Sequence, residues 1–183
     1  MTRPPSEREQ TRQAGQDKGV EAWAAVLKVH AAIVPELDRR LQATHGLPLT
    51  WYDVLLELNA APERKLTIGE LGERAVVSRT RVTRVVDELC RQGLVVRQAN
   101  AEDRRSSFAA LTPEGRRRLK EAAPTYLAGI EEVFGRHLRP EDADAVSRAL
   151  GRVLHRIDGG GVTASLGRGS FRPRGPDGGV AQR

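Results

Sequence analysis

The sequence predicts a mainly α-helical fold that carries one small β-hairpin. Apolar residues recur at helical spacing through most of the chain between residues 20 and 157. The helical pattern is interrupted once, where Leu94-Val95-Val96-Arg97 and Phe108-Ala109-Ala110-Leu111 indicate two strands around a polar tip at 100–106. With 183 residues, of which 39% are hydrophobic, the chain is long enough for one domain with a core.

The first helix is predicted over about residues 20–43, and Pro35 inside it is expected to kink the helix or open its hydrogen-bond ladder. Residues 1–18 are polar and rich in Gln, Arg and Pro, so they are predicted to form a disordered N-terminal tail. Residues 159–183, rich in Gly, Pro and Arg, are predicted to form a flexible basic tail.

Three shorter helices follow, and each has a start signal. Thr50 with Asp53, and Thr67 with Glu70, fit the capping-box pattern of a hydroxyl followed three residues later by an acid. These pairs predict a second helix and a third helix that ends near residue 75. Ser78 is predicted to cap a fourth helix that ends before the glycine preceding the first strand.

Two helices are predicted after the hairpin. Thr112-Pro113-Glu114 combines a capping hydroxyl with a proline at the first helical position. A last helix is predicted from about Pro140 to Arg156. The resulting order, α-α-α-α-β-β-α-α, is that of a helix-turn-helix followed by a wing and framed by terminal helices.

Positive charge is concentrated on one segment of the chain. The net charge is +6, and residues 79–118 alone hold ten Arg against five Asp or Glu. Arg outnumbers Lys by 26 to 4. Arginine pairs bidentately with phosphates and base edges, so this bias favours a nucleic-acid partner, although a GC-rich genome would also produce it.

The fourth helix and the hairpin tip hold the predicted DNA contacts. Val82, Val85 or Val86, and Leu89 form an apolar stripe on the helix, which leaves its other faces to hydroxyls and arginines. A solvated helix face would explain those residues equally well. The arginine-tipped hairpin favours DNA, because a narrow minor groove attracts inserted Arg. The candidate residues are Ser78, Arg79, Thr80, Arg81, Thr83 and Arg84 on the helix, and Arg104 and Arg105 on the hairpin.

The stretch from Leu49 through Thr112 resembles the winged helix-turn-helix of the MarR family (multiple antibiotic resistance regulators). The wing matches the family pattern Asp-x-Arg, five residues, Leu-Thr, at Asp103, Arg105, Leu111 and Thr112. The run 82–89, closed by Gly93-Leu94-Val95, is similar to the recognition helix and its exit. With the flanking helices, the resemblance covers roughly residues 20–157.

This resemblance implies a homodimeric transcription factor, usually a repressor, formed by residues 19–158. The winged helix-turn-helix would span about 49–112, and dimerisation helices would span about 20–43 and 113–157. Double-stranded DNA with an inverted repeat, its half-site centres about 10 base pairs apart, is the implied partner. Arg104 would enter the minor groove, whereas Arg105 would brace the wing against Asp87 or Asp103. Arg139 departs from the Ser or Thr that often caps the family's last helix.

The resemblance also implies an effector, a small aromatic or anionic compound that enters the cleft between the dimerisation helices and the winged domain. One hypothesis, drawn from the urate-responsive subgroup, is an anionic ligand that bridges Asp53 and Arg84. For the aromatic residues, core packing is the stronger interpretation, and for Asp53 it is capping of the second helix. The candidate ligand residues are Trp23, His30, Trp51, Tyr52, Asp53, Arg84 and Arg97.

Other functional classes lack a supporting pattern. There is no phosphate-binding glycine loop, nucleophile–base pair or metal-ligand spacing, so neither an enzyme nor a cofactor is predicted. The single cysteine, Cys90, excludes an internal disulfide and is predicted to be a small buried residue rather than a redox sensor. No segment is predicted to span a membrane or to act as a secretory signal, which favours a cytoplasmic protein. The alternatives are a winged-helix protein-interaction module, or a non-specific DNA-binding protein without an effector.

Overall fold

A computed structural model describes residues 7–75, 79–100, 103 and 106–158. The predicted mainly helical fold with a winged helix-turn-helix is confirmed. The elements are α1 (Glu7–His45), α2 (Leu49–Ala60), β1 (Lys65–Thr67), α3 (Ile68–Arg74), α4 (Arg79–Arg91), β2 (Val95–Ala99), β3 (Ser107–Leu111), α5 (Pro113–Val133) and α6 (Pro140–Asp158), with short 3-10 turns at Pro62–Arg64 and Gly135–His137.

The first helix is much longer than predicted. It begins at Glu7 rather than near residue 20, so the prediction of disorder is wrong for residues 7–18. That segment lacks an apolar face, but it is rich in Glu, Gln and Arg, which lose little side-chain freedom in a helix. A helix already nucleated downstream therefore extends through it at low cost. The helix also continues across Pro35 without a break.

The predicted capping box of the second helix is wrong. Pro48 occupies the N-cap, so Thr50 lies inside α2 and makes no capping hydrogen bond. The free backbone N–H of Leu49 instead donates to Oδ1 of Asp38 on α1, at 2.7 Å. The cap is therefore supplied by a residue 11 positions earlier, which the turn between α1 and α2 brings back to the helix start.

The capping box of the third helix is confirmed, and a strand that the sequence did not predict precedes it. Oγ1 of Thr67 accepts from the Glu70 N–H at 3.2 Å, and the Glu70 carboxylate accepts from the Thr67 N–H at 2.8 Å. The strand, β1, has only three residues, too few to show an alternating pattern. It pairs antiparallel with β3, with Leu66 opposite Ala109. This pairing completes a sheet of order β1-β3-β2.

The connection between α4, β2 and α5 is closely packed. Gly93 adopts a φ of +70° in a Schellman motif, in which Leu94 N–H donates to the Leu89 carbonyl at 2.9 Å. As predicted, Thr112 caps α5, and Pro113 takes the first helical position. Oγ1 of Thr112 accepts from the Gly115 N–H at 2.9 Å. The Thr112 hydroxyl also donates to the carbonyls of Gly93 and Leu94. The end of the recognition helix and the start of α5 therefore form one hydrogen-bonded unit.

The hydrophobic core lies within the winged domain, where α2, α3, α4, the sheet and part of α5 meet the C-terminal end of α1. The N-terminal half of α1 and all of α6 lie outside it, and α6 has no extensive packing against any other described element. The last helix begins at Pro140 as predicted, and Arg139 there pairs with Asp142 at 2.7 Å. None of the described helices is both long enough and apolar enough to span a bilayer.

Candidate nucleic-acid interface

Helix α4 has one buried and one exposed face. Its apolar stripe is almost fully buried against the winged domain, as predicted, and both Val85 and Val86 belong to it. Arg81, Thr83 and Arg84 are exposed on the other faces. Neither arginine forms an ion pair with a residue that the structure describes. Their charges are therefore available to an external anion.

Several predicted contact residues lie beyond the described part of the chain. Ser78, Arg104 and Arg105 are outside it, whereas Arg79 and Thr80 form the first turn of α4 with undescribed side chains. The roles of these five residues stay predictions.

The base of the wing is attached directly to the recognition helix. Nη2 of Arg97, on β2, donates to Oδ1 of Asp87, on α4, at 2.7 Å. Nη1 of the same arginine donates to the Ser107 hydroxyl on β3, at 3.1 Å. One guanidinium thus joins the helix to both strands of the hairpin. We call this set of three residues the wing brace.

The resemblance implied a bracing role for Asp87, with Arg105 as its partner. Arg105 lies outside the described residues, so that pairing stays a prediction, and the structure shows that Asp87 holds Arg97, a residue predicted to bind ligand. The other predicted bracing residue, Asp103, is exposed, and its carbonyl accepts from the N–H and hydroxyl of Ser106.

A second contact fixes the recognition helix from its other side. Trp51 on α2 is half-buried, and its indole Nε1–H donates to Oε2 of Glu88 at 3.2 Å. Glu88 also lies 3.8 Å from Arg91. Sequence reasoning missed the role of Glu88, because no periodicity links a residue on α4 to one 37 positions earlier.

The candidate ligand residues are distributed over different parts of the fold. Trp23 and His30 lie on the exposed part of α1, and Trp23 is 61% exposed, so core packing within the chain is wrong for it. That prediction fails because this half of α1 projects past the winged domain.

Tyr52 is buried as expected, with its ring centroid 4.6 Å from that of Tyr126. Burial raises the pKa of Tyr52 to about 12. Asp53, next to it, is half-buried.

Cys90 is half-buried near the end of α4. Burial, as the largest effect, raises the pKa of its thiol, so the unreactive protonated form is favoured. No group of three metal-ligating side chains occurs among the residues that the structure describes.

Comparisons with known proteins agree on one family. The MarR family model matches residues 45–106. The HTH-type transcriptional repressor YetL of Bacillus subtilis is 30% identical over 115 residues, which cover 63% of this chain and 68% of the relative. The chain belongs to the MarR family. It is thus a DNA-binding transcriptional regulator and not an enzyme.

Solved structures support the assignment over most of the chain. AbsC, a MarR family transcriptional regulator from Streptomyces coelicolor, is 26% identical with a TM-score of 0.68, and the match covers 86% of this chain and 99% of that one. Sco3205 of the same organism, solved in complex with DNA, is 28% identical with a TM-score of 0.66, covering 87% of this chain and 91% of that one. These matches extend into the terminal helices and are not confined to the winged domain.

Proposed function

We propose that this MarR family protein is a homodimeric repressor that binds an inverted-repeat operator. The observation that carries the proposal is the free basic and hydroxyl face of α4, held to the hairpin by the wing brace. The DNA complex of Sco3205 and the repressor name of YetL support it.

The exposed face of α4 fits a major groove. Arg81 and Arg84 are three residues apart and therefore neighbours on the helix surface, with the short Thr83 beside them. Arginine donates two parallel hydrogen bonds to guanine, and a threonine hydroxyl reaches a phosphate or base edge only at close approach. The wing brace would then direct the hairpin, with Arg104 and Arg105 at its tip, towards the adjacent minor groove.

Exposed apolar residues support a dimer built on the terminal helices. Large contiguous apolar patches on a soluble protein mark interaction sites, and α1 and α6 each carry a band of such residues outside the core. A two-fold interface that pairs these helices would cover both bands. The exposed residues are Val20, Trp23, Val26, Leu27 and Val29 on α1, Leu127 on α5, and Val146, Leu150, Val153 and Ile157 on α6.

We further propose that a small aromatic or anionic ligand releases the repressor from DNA. An open cavity of about 370 Å³ lies where the end of α1, the start of α2, the exit of α4 and the start of α5 meet. Of the predicted ligand residues only Trp51 lines it, together with Arg118, which can pair with an anion. Because Trp51 also contacts Glu88 on α4, a ligand there would act on the recognition helix.

DNA binding is tested by titrating the protein against a labelled duplex from its own upstream region, with scrambled duplex as competitor. Arg84→Ala should weaken binding by about 1–3 kcal/mol, or about 5- to 150-fold, if the arginine contacts a guanine. Arg136→Ala, which removes an exposed arginine far along the chain, is the matched control. Wild-type affinity in Arg84→Ala and also in Arg84→Glu, with the dimer intact, would refute the groove assignment.

The dimer is tested by sedimentation. Leu150→Asp places a charge in the apolar band of α6 and should yield monomers, whereas Lys28→Asp changes an exposed polar position of α1 and should leave the dimer intact. A dimer that survives the Leu150 change would contradict the interface.

The ligand proposal is tested by a thermal-shift screen with purines and aromatic acids. A true effector should raise Tm in proportion to its concentration and dissociate the operator complex. Arg118→Gln should abolish the response to acids. If no compound stabilises the protein, the proposed effector class is wrong, while the DNA-binding result stands on its own.

A further inference from the structure

We propose that the C-terminal half of α6 is a second nucleic-acid-binding surface, separate from α4 and the wing, which binds duplex DNA through its phosphates. The surface is a line of arginines at Arg148, Arg152 and Arg156, with His155 beside it, and we call it the α6 ridge. All four side chains are exposed.

The arginines of the α6 ridge follow the helix axis in a regular way. They are spaced four residues apart, so they lie on one face at steps of about 6 Å along the axis. Exposed apolar residues of α6, such as Leu150 and Ile157, lie on the opposite face. A dimer that covers the apolar face therefore leaves the α6 ridge directed outwards.

The charge of the α6 ridge is not neutralised within the described part of the chain. None of its three arginines has an ion pair there. By contrast, Arg40 of α1 pairs with Glu36 and Glu132, and Arg117 of α5 pairs with two glutamates. Apart from Asp158 at its last position, the acids of α6 lie near its start, and no Asp or Glu occurs from residue 145 to residue 157.

The sequence after α6 continues the same charge. Residues 159–183, outside the described part, contain four Arg against one Asp, among many glycines. Residues 145–183 therefore hold seven Arg and two acids. Basic arms next to folded domains often bind nucleic acid, and their contacts with duplex phosphates do not depend on sequence.

The chemistry of the α6 ridge fits a duplex better than an acidic protein. Double-stranded DNA presents one negative charge per about 1.7 Å of its axis, in continuous lines that a row of evenly spaced guanidinium groups can follow. Such contacts carry no sequence information. The α6 ridge would therefore add salt-dependent affinity for flanking or second-duplex DNA, in addition to the operator contacts of α4.

The test compares two triple variants of the full chain by fluorescence anisotropy on a labelled duplex of scrambled sequence. Arg148→Gln/Arg152→Gln/Arg156→Gln removes the α6 ridge but keeps good helix formers. Lys28→Gln/Lys120→Gln/Arg136→Gln removes the same charge from exposed positions elsewhere. We expect the first variant to bind about tenfold more weakly, with a salt slope smaller by about 0.9 for each lost phosphate contact, and the second to bind like wild type. Circular dichroism and sedimentation check that both remain folded dimers.

A second background separates this surface from the recognition helix. In Arg81→Glu/Arg84→Glu, operator recognition should be lost, while weak and salt-dependent binding to DNA persists. Adding the three α6 ridge substitutions to this variant should then remove the remaining binding. Equal binding by the two triple variants would overturn the proposal. So would competition by polyglutamate as effective as that by DNA at equal charge, which would point to an acidic polypeptide. If truncation after residue 158 abolished DNA binding but substitution of the α6 ridge did not weaken it, the assignment to α6 would also be overturned.

Discussion

Replacing Gly115 by alanine tests the contact between the start of α5 and the exit of the recognition helix. A Cβ at this position would lie 2.1 Å from the carbonyl oxygen of Leu94 and 2.9 Å from Cδ1 of Leu111. Ordinary contacts of a Cβ begin at 3.4 Å, so the two backbone segments must separate by at least about 1 Å. The Leu94 carbonyl is part of the backbone and cannot rotate away as a flexible side chain would.

The cost follows from the hydrogen bonds at this point. The Leu94 carbonyl accepts from the Thr112 N–H at 3.1 Å and from its hydroxyl at 3.0 Å. Stretching both bonds costs about 1 kcal/mol for each, and overpacking adds about 1–3 kcal/mol. We therefore expect Gly115→Ala to lower the free energy of unfolding by about 3–5 kcal/mol. Each kcal/mol corresponds to a fall in Tm of about 2–4 °C for a chain of this size.

The assay is urea denaturation at one fixed protein concentration, because the stability of a dimer depends on concentration. Gly151→Ala is the matched control, since a Cβ on this helical glycine would have nothing within 4 Å and the variant should gain about 0.5–1 kcal/mol. Operator affinity should fall in Gly115→Ala, because the displaced junction also moves the end of α4. A Gly115→Ala protein as stable as wild type would refute the importance of this close contact.

Three further predictions concern the wing brace, Tyr52 and the α3 cap. Arg97→Ala should change the free energy of unfolding by less than about 1 kcal/mol, because the side chains of Arg97 and Asp87 are 38% and 52% exposed. Its operator affinity should nevertheless fall as the wing loses its orientation; unchanged anisotropy titrations would contradict this. Because the folded state raises the pKa of Tyr52 from 10 to about 12, its contribution to stability should be complete below pH 10 and lost as the pH rises through 12. Stability measured across that range should fall more in wild type than in Tyr52→Phe, in which Tyr126, whose pKa burial also raises, still titrates. Thr67→Ala should cost about 1 kcal/mol in urea denaturation by removing the cap that Glu70 completes, and no loss would count against it.

Part of this fold follows from signals that lie within a few residues of one another. The capping box at Thr67 and the start of α5 at Thr112-Pro113 were predicted correctly, because donor and acceptor are three residues apart. The buried stripe of α4 was also predicted, since helical periodicity alone places it on one face. The family resemblance also rested on local patterns, namely the wing motif within 103–112 and the run 82–89 with its exit at 93–95.

The candidate site was predicted less completely than the fold. The exposed face of α4 followed from periodicity, and the bracing role of Asp87 was implied by the family resemblance. Its contact with Arg97 was not predicted, because Arg97 reaches Asp87 only after the chain has turned at Gly93 and entered β2. Trp51 was a candidate ligand residue for which core packing was the stronger interpretation. In the structure it packs against the core, and its indole also donates to Glu88 on the recognition helix, which no local pattern predicted.

By itself, the sequence determined the helical elements, their order and the location of the basic surface. Only the tertiary structure decided that Asp38 caps α2, that residues 65–67 join the sheet, and that Arg97 braces the wing. The physical reason is the range of the interactions. A cap or an apolar stripe is encoded within one or two helical turns, whereas a hydrogen bond between distant segments exists only once packing of the core has brought them together.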